Sequence, residues 1–352
     1  FNDGLGPVMR GPSRSHCAAA ARIGLLARAL MDNDIESVLV EFDRRGSLPT
    51  THETQGSDMG LCGGLLGLEP SDERLLHYRE EIRSAGIQIQ YRTGSYGDSH
   101  PNTYRLSLKN SQESHCLVAV STGGGMINVV EIDGHGLAMR GDLYETLVYF
   151  QRNEEALVRT IKGMLDQKYE IQVLQDPKKE KRFIRVITHA ALDKEQALGL
   201  ASIEETTAVK CLPPVLPILT PEQIAVPFDT CMQMLAYNRR RQLSLADLAI
   251  EYESARGAVG RDEIINKMVE IVRTMKNSIR IGLAQTTYED RILGCQSTFY
   301  RQQQNRGQLL DIGLLNQIIL YVTALMETKS AMGVIVAAPT AGSCGGLPGA
   351  IL

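Results

Sequence analysis

The chain has no surplus of positive charge. Its 352 residues carry 37 Lys and Arg against 41 Asp and Glu, a formal net charge of −4. No global basic field is available to hold nucleic acid or an acidic membrane. It has no Cys-x-x-Cys pair, which disfavours a zinc ribbon. Its seven cysteines are odd in number and scattered, and no signal-peptide pattern opens the sequence. A secreted disulfide scaffold is therefore not expected, and a reducing, cytoplasmic setting is. No Gly-Lys-Ser/Thr closes any glycine-rich stretch, so a P-loop is excluded. There is no internal repeat and no low-complexity tract. Hydrophobic residues at 43% and charged residues at 22% match a globular protein and argue against disorder. The length suggests two or three domains.

One uncharged run, Val334 to Leu352, is about as long as a membrane span. Its two prolines and four glycines argue against a stable spanning helix. It reads as a buried loop and helix start. Because the first residue is Phe1 rather than Met and Leu352 lies inside this run, the sequence is expected to be a fragment, short at its start and missing the remainder of its last domain.

Three parts are expected. Residues 1–141 read as an α/β domain. His16 to Met31 has Ile23, Leu26 and Leu30 at helical spacing, and Ser37 to Phe42 reads as a strand. Ser71 is expected to cap a helix that ends before Gly86. Ile87–Tyr91, Tyr104–Leu108, Leu117–Val120 and Met126–Ile132 read as strands. Residues 142–212 read as a small α+β unit: a strand in LYETLVYF, a helix around Glu155–Asp166, then strands Tyr169–Leu174 and Phe183–Thr188. The run from Lys178 to Arg182 reads as a solvated hairpin tip rather than a nucleic-acid patch. Pro213, Pro214, Pro217 and Pro221 mark a linker. Residues 213–352 read as helical, with Ser244 and Asp247 opening one helix and Asp262 a long one whose apolar residues are Ile265, Met268, Ile271, Val272, Met275 and Ile279. Leu314–Ser330 is a further helix.

Five segments have more polar or glycine content than packing needs. GPSRSHCAAAARIG, Gly11 to Gly24, places Ser13, Ser15 and His16 at a helix entry, suited either to an anion and a proton shuttle or to a plain Ser cap with a packed histidine. GSLPTTHETQGSDMGLCGGLLG, Gly46 to Gly67, carries Thr50, Thr51, His52, Gln55, Ser57 and Asp58, of which Asp58 also reads as the cap of the following helix. His100-Pro101-Asn102-Thr103 precedes a strand and by default is a turn. Ser121 to Gly125, STGGG, is a hairpin or a close backbone approach to a ligand. Ala337 to Gly349, AAPTAGSCGGLPG, surrounds Cys344 with small residues, and its thiol suits a soft metal or cluster.

In this order the five segments resemble the iron–sulfur-dependent L-serine dehydratases, whose usual patterns are GPSSSHT, GSL-x-x-T with G-H-G-T-D, HPNT, a GGG turn and PTAGSCG. The resemblance spans Gly6 to Leu352. It implies an N-terminal α/β domain like an effector-binding domain, a small ACT-like α+β unit, and an all-α catalytic domain that is incomplete here. It implies deamination of L-serine to pyruvate and ammonia without pyridoxal phosphate. A [4Fe–4S] cluster would act as a Lewis acid on the departing hydroxide. Carried over residue by residue, Cys344 is the cluster ligand; His16, His100, Ser15 and His52 are the candidates for proton transfer. Ser13, Gln55, Asp58, Asn102, Gly123, Gly124, Gly125, Thr340 and Ser343 are the expected substrate contacts. The expected partners are the small-molecule substrate and further copies of the chain, with neither nucleic acid nor membrane.

Three departures accompany the resemblance. Gln55 stands where G-H-G-T-D has histidine, and an amide is no general base, so His52, His16 or His100 would serve. Cys17 replaces a threonine. The family's other cluster cysteines lie downstream of PTAGSCG, so residues 1–352 alone are expected neither to hold a stable cluster nor to dehydrate serine. Cys62, Cys116, Cys211 and Cys231 read as structural, and Cys17 and Cys295 as the only stand-in ligands. The competing readings are a lyase or desulfidase acting on another β-substituted amino acid, and a non-catalytic amino-acid-binding module.

Overall fold

The computed structural model describes residues 4–165, 169–176, 178–216, 226–287 and 293–352. Pro217 and Pro221 of the expected linker, and Asp166 at the expected end of one helix, lie outside them. Sheets with interleaved helices make up the N-terminal part, and helices dominate the C-terminal part. By contact the chain divides into two units, Ser13–Leu216 and a second built from residues 1–12 with 217–352. Among the described residues, no helix is long and apolar enough to cross a membrane.

Within Ser13–Leu216, six strands form one sheet in the order Gln88–Gly94, Ser37–Asp43, Thr103–Lys109, Ser114–Gly123, Met126–Ile132, His135–Met139. The first pair is parallel and the others antiparallel. Alternation sets the buried face: Val38, Val40 and Phe42 on one strand, Tyr104, Leu106 and Leu108 on the next. Ile23, Leu26 and Leu30 of the helix Ala19–Leu30 join the same core, as does the helix Ser57–Leu65 through Leu61, Cys62 and Leu65. The stretch His16–Met31 is thus two elements, a π-helical turn at Arg14–Ala18 and the α-helix behind it. The helix cap expected at Ser71 is made one residue later. The Asp72 carboxylate accepts from the Arg74 amide at 2.9 Å, opening a 3₁₀ turn, Glu73–His77, that leads into the helix Tyr78–Ser84. A carboxylate at that position also meets the partial positive charge of the first turn.

The second sheet has the order Thr206–Leu212, Tyr144–Phe150, Phe183–Thr188, Tyr169–Leu174, all antiparallel. With the helices Glu154–Met164 and Lys194–Ala201 between strands, this is a βαββαβ unit of ferredoxin-like topology. The sequence reading lacked the second helix and the last strand. Lys194–Ala201 is mostly exposed and its start is signalled only by an Asp193/Gln196 capping box. The two central strands are buried on both faces. Leu147, Tyr149 and Phe183 enter the first sheet's core, while Val148, Phe150, Ile184 and Val186 pack on Leu157, Ile161 and Leu200. A boundary at residue 141 therefore cuts through one shared core. At the seam, Asp133 accepts from the Tyr149 hydroxyl at 2.8 Å and meets His115 Nδ1 at 2.7 Å. Lys178, Lys179 and Glu180 are exposed, as a hairpin tip should be.

In the other unit, Val8–Arg10 pairs antiparallel with Val334–Val336, a strand the sequence reading took for loop. Three residues are too few for alternation to signal a strand. The helices are Cys231–Asn238, Leu245–Gly257, Arg261–Leu283, Ser297–Asn305, Leu314–Ser330 and Gly346–Ile351. Ser244 caps the second, accepting from the Asp247 amide at 3.1 Å. On the long helix the buried stripe is Ile264, Ile271, Met275, Ser278, Ile279 and Gly282. Ile265 and Met268 are exposed instead, at 37% each; Ile265 falls off the face on which positions 264, 271, 275, 278 and 282 lie in a 3.6-residue repeat, whereas Met268 is on that face and is still exposed. Glu327, 1% exposed, accepts from the amides of Gln296 and Ser297 at 2.6 and 2.7 Å and so caps the helix Ser297–Asn305 from across the unit.

The helices Ala19–Leu30 and Ser57–Leu65 meet backbone to backbone. A Cβ at Gly64 would lie 2.1 Å from the Ala21 carbonyl oxygen. Gly64→Ala must push the helices apart and is expected to lower stability by about 1–3 kcal/mol in urea unfolding, the cost typical of overpacking. A loss under about 0.5 kcal/mol, the size of a neutral surface substitution, would show that the crossing is not fixed by this contact.

Candidate active site

Four of the five segments come together within Ser13–Leu216. Ser13 is extended (φ −137°, ψ 117°) and its carbonyl accepts from the Cys17 amide at 2.8 Å, closing the turn that holds His16. The Ser13 hydroxyl lies 2.8 Å from His16 Nδ1, and the Ser15 hydroxyl 3.3 Å from that of Ser13. On the other side of the ring, His16 Nε2 lies 3.2 Å from Thr51 Oγ1.

The neighbours fix the tautomer. The Thr51 hydroxyl donates to the Ser47 carbonyl at 2.8 Å. A hydroxyl has one proton, so towards His16 Thr51 can only accept, and Nε2 carries the ring proton. Nδ1 is then a bare lone pair that accepts from the Ser13 hydroxyl. Burial lowers the His16 pKa below its ordinary value of 6.5, which keeps the ring neutral at neutral pH. A neutral imidazole with a lone pair on a half-buried serine can take up a proton.

From Ser47 the chain of contacts continues. The Ser47 hydroxyl donates to Asn102 Oδ1 and its amide to the Pro101 carbonyl at 2.9 Å. The Asn102 amide donates to His100 Nδ1 at 3.2 Å, and the Asn102 carbonyl accepts from the Ser121 amide at 3.0 Å. The Ser121 hydroxyl, fully buried, donates back to the Ser15 carbonyl at 2.7 Å. HPNT is thus a turn whose histidine Nδ1 is spent on its own loop. Gly123, Gly124 and Gly125 all have positive φ, at 100°, 62° and 79°, and turn the hairpin that Gly123 and Met126 close. Two central residues with φ > 0 are what a type I′ hairpin demands.

His52 belongs to a different arrangement. Its Nδ1 meets the Asp58 carboxylate at 2.7 Å, and its ring stacks on Tyr91 at 5.1 Å and 18°. The hydrogen bond that Nδ1–H donates to the Asp58 carboxylate raises the His52 pKa. Asp58, expected to touch substrate, therefore holds His52, and Gln55 sits half-buried at the turn between them. Thr51, Ser47 and Ser121, which join the segments, were not singled out as site residues from sequence. The available signal for Ser47 and Thr51 is that both are fixed letters of GSL-x-x-T, four residues apart and just before His52.

The fifth segment lies in the other unit. The Thr340 and Ser343 hydroxyls are 2.9 Å apart, Ser343 Oγ donates to the Ala338 carbonyl at 2.7 Å, and the loop leads to Cys344. Both hydroxyls shape the loop. The Cys344 thiol is fully buried, with Sγ 4.0 Å from Met326 Sδ, and burial raises its pKa to about 11. Cys17, also fully buried, is raised to about 12. Among the described residues no group of three His, Cys, Asp or Glu side chains could hold a metal ion. A single protonated thiol does not make a cluster site, which needs about three or four thiolates; these residues do not fit a [4Fe–4S] cluster by themselves.

Comparison with known proteins bears on both units. A family described as serine dehydratase alpha chain matches residues 240–352. Over 140 residues the chain is 37% identical to the probable L-serine dehydratase beta chain of Bacillus subtilis, covering 40% of this chain and 63% of that protein. Over 214 residues it is 31% identical to the L-serine dehydratase beta chain of Peptoniphilus asaccharolyticus, covering 58% of this chain and 94% of that one. Over 124 residues it is 24% identical to the probable L-serine dehydratase alpha chain of Bacillus subtilis, 35% of this chain and 41% of the relative.

The two histidines should titrate on opposite sides of 6.5. His16 disfavours its proton when folded, so its contribution to stability is present above pH 6.5 and is lost as pH falls through its lower folded value. His52 favours its proton, so its contribution is full below pH 6.5 and is lost as pH rises through its higher folded value. Ring-proton NMR titration should show the two midpoints bracketing 6.5. Asp58→Asn should bring down the His52 midpoint and leave that of His16 in place. Midpoints in the reverse order would contradict the hydrogen-bond assignment.

Proposed function

Because the chain belongs to the L-serine dehydratase family, we propose that it serves the deamination of L-serine to pyruvate and ammonia by β-elimination. The observation that carries this reading is the neutral His16 whose Nδ1 accepts from Ser13. β-Elimination needs a base for the Cα proton and a means of expelling hydroxide from Cβ. His16 is placed to take the proton, either directly or through the Ser13 hydroxyl, while Thr51 fixes the ring's orientation through Nε2. His100, on the loop tied to the same network, is the second candidate for proton transfer. The aminoacrylate so formed tautomerises and is hydrolysed to pyruvate and ammonia.

A [4Fe–4S] cluster belongs to this reading as a group to which Cys344 would contribute one thiolate; the steps assigned to this chain are proton handling and substrate positioning. The βαββαβ unit is taken as ACT-like and the six-stranded unit as effector-binding-domain-like, on topology and resemblance. Similarity to both a beta chain and an alpha chain within one polypeptide suggests that parts which are separate chains in Bacillus subtilis are joined here. A cytoplasmic homo-oligomer is the expected form.

The full-length parent, prepared anaerobically without pyridoxal phosphate, should form pyruvate from L-serine and lose that activity in air. An air-stable activity abolished by hydroxylamine would overturn the reading. His16→Ala should lower kcat by about 10²–10⁴, the usual cost of losing one general acid or base, with an unchanged melting temperature. His100→Ala should also fall, and Gln55→His should alter the pH–rate profile. Normal turnover in His16→Ala would remove it from the mechanism.

A further inference from the structure

Two buried arginines flank the candidate site, and the proton chemistry leaves them without a task. Arg14 lies between Ser13 and Ser15, and Arg22 in the first turn of the following helix; each is 4% exposed. Both reach the glycine turn. A Cβ at Gly125 would lie 3.2 Å from Arg14 Cγ and 3.4 Å from Arg22 Nη1, and one at Gly124 would lie 3.8 Å from Arg14 Nη1. Arg22 Nη1 donates to the Gly125 carbonyl. At Gly123, by contrast, a Cβ would meet nothing within 4 Å, so the first residue of the turn borders open space.

Burying one guanidinium is costly, and burying two together costs more unless negative charge offsets them. The Arg22 pKa is lowered to about 10, first by burial and then by the Arg14 charge. Among the described residues no carboxylate is paired with Arg22; its acceptors are the Gly125 carbonyl and, at 4.0 Å, Met126 Sδ. A neutral carbonyl satisfies one N–H of a guanidinium that has five, and no carboxylate among the described residues offsets the Arg22 charge at the Gly125 turn.

We propose that Arg22, with Arg14 beside it, is the subsite for the carboxylate of the amino-acid substrate, set next to the Gly123–Gly125 turn and the Ser13–His16 pair. The inference rests on the reading above, since it takes the ligand to be a small α-amino acid. Guanidinium groups bind carboxylates in a fixed fork geometry. Holding the carboxylate there would keep Cα near the base and explain why Gly124 and Gly125, rather than larger residues, pass so close to two long side chains. Arg22 and Arg14 are positioning residues: they bind the group that does not react.

The test measures binding, so that it does not depend on turnover. Anaerobically prepared protein is titrated calorimetrically with L-serine, 3-hydroxypropionate and L-serinamide. The first two carry a carboxylate; the third replaces it with a neutral amide. The wild type should bind both carboxylates at least about tenfold more tightly than the amide, the scale of one charge-assisted hydrogen bond. Arg22→Gln, which can still donate to the Gly125 carbonyl, should bring the three affinities within about threefold of one another. Arg22→Lys should retain part of the preference, and Arg14→Ser should reduce it. Melting curves of each variant accompany the titrations. A wild type without carboxylate preference, or with no binding of any of the three, overturns the proposal. So does an Arg22→Gln protein that folds and keeps the preference. If Arg22→Gln does not fold, Arg14→Ser and Arg22→Lys decide, and an undiminished preference in both overturns it. Carboxylate preference without any pyruvate would uphold the subsite while counting against serine dehydration.

Discussion

The close contact of two helix backbones positions everything else at the candidate site. A Cβ at Gly60 would lie 2.1 Å from the Cys17 carbonyl oxygen. Only a residue without a side chain lets the segment after His52 come so near the turn that carries His16. From this follow the meeting of Thr51 with His16, the anchoring of that turn to Ser47, and through Ser47 the attachment of the Asn102 loop. The glycine-rich run Gly46–Gly67, which resembled a ligand-binding loop, divides its labour. Its first half supplies hydroxyls and its second half supplies a smooth helical surface.

The two histidines, His16 and His52, shift their pKa values in opposite directions. Burial against hydroxyls makes His16 a neutral acceptor, while a carboxylate and stacked aromatic rings make His52 a holder of protons. The difference lies in their partners. Hydroxyls can reverse their donor and acceptor roles as a proton moves; a carboxylate cannot, and so pins its imidazole in one charge state. The substitution of Gln55 for a histidine leaves the His16 network intact, because none of its hydrogen bonds runs through position 55.

Much of the fold could be read from periodicity. Strands such as Tyr169–Leu174 and Phe183–Thr188, and the helix Leu314–Ser330, have the bounds expected of them, because alternation or a 3.6-residue stripe is strong there. Elements stabilised chiefly by distant partners were invisible: Val8–Arg10 and Val334–Val336 exist only as a pair 326 residues apart, Val8 facing Val336 in the closing register. The helix Ser297–Asn305 is capped by Glu327, thirty residues away in the chain. At the site, motif order pointed to Ser13, His16 and Asn102. It could not reveal Thr51 and Ser121 as the links, since a hydroxyl's importance depends on what stands opposite it.

The βαββαβ unit lends three side chains of its central strands, Leu147, Tyr149 and Phe183, to a core that mostly belongs to the neighbouring sheet. Such a unit is not a cassette. Evolution can transplant a module whose apolar surface is closed upon itself, but here removal would open the neighbour's interior and insertion elsewhere would leave an unmatched greasy face. Lineages that carry this pair of sheets should therefore have inherited or lost them together.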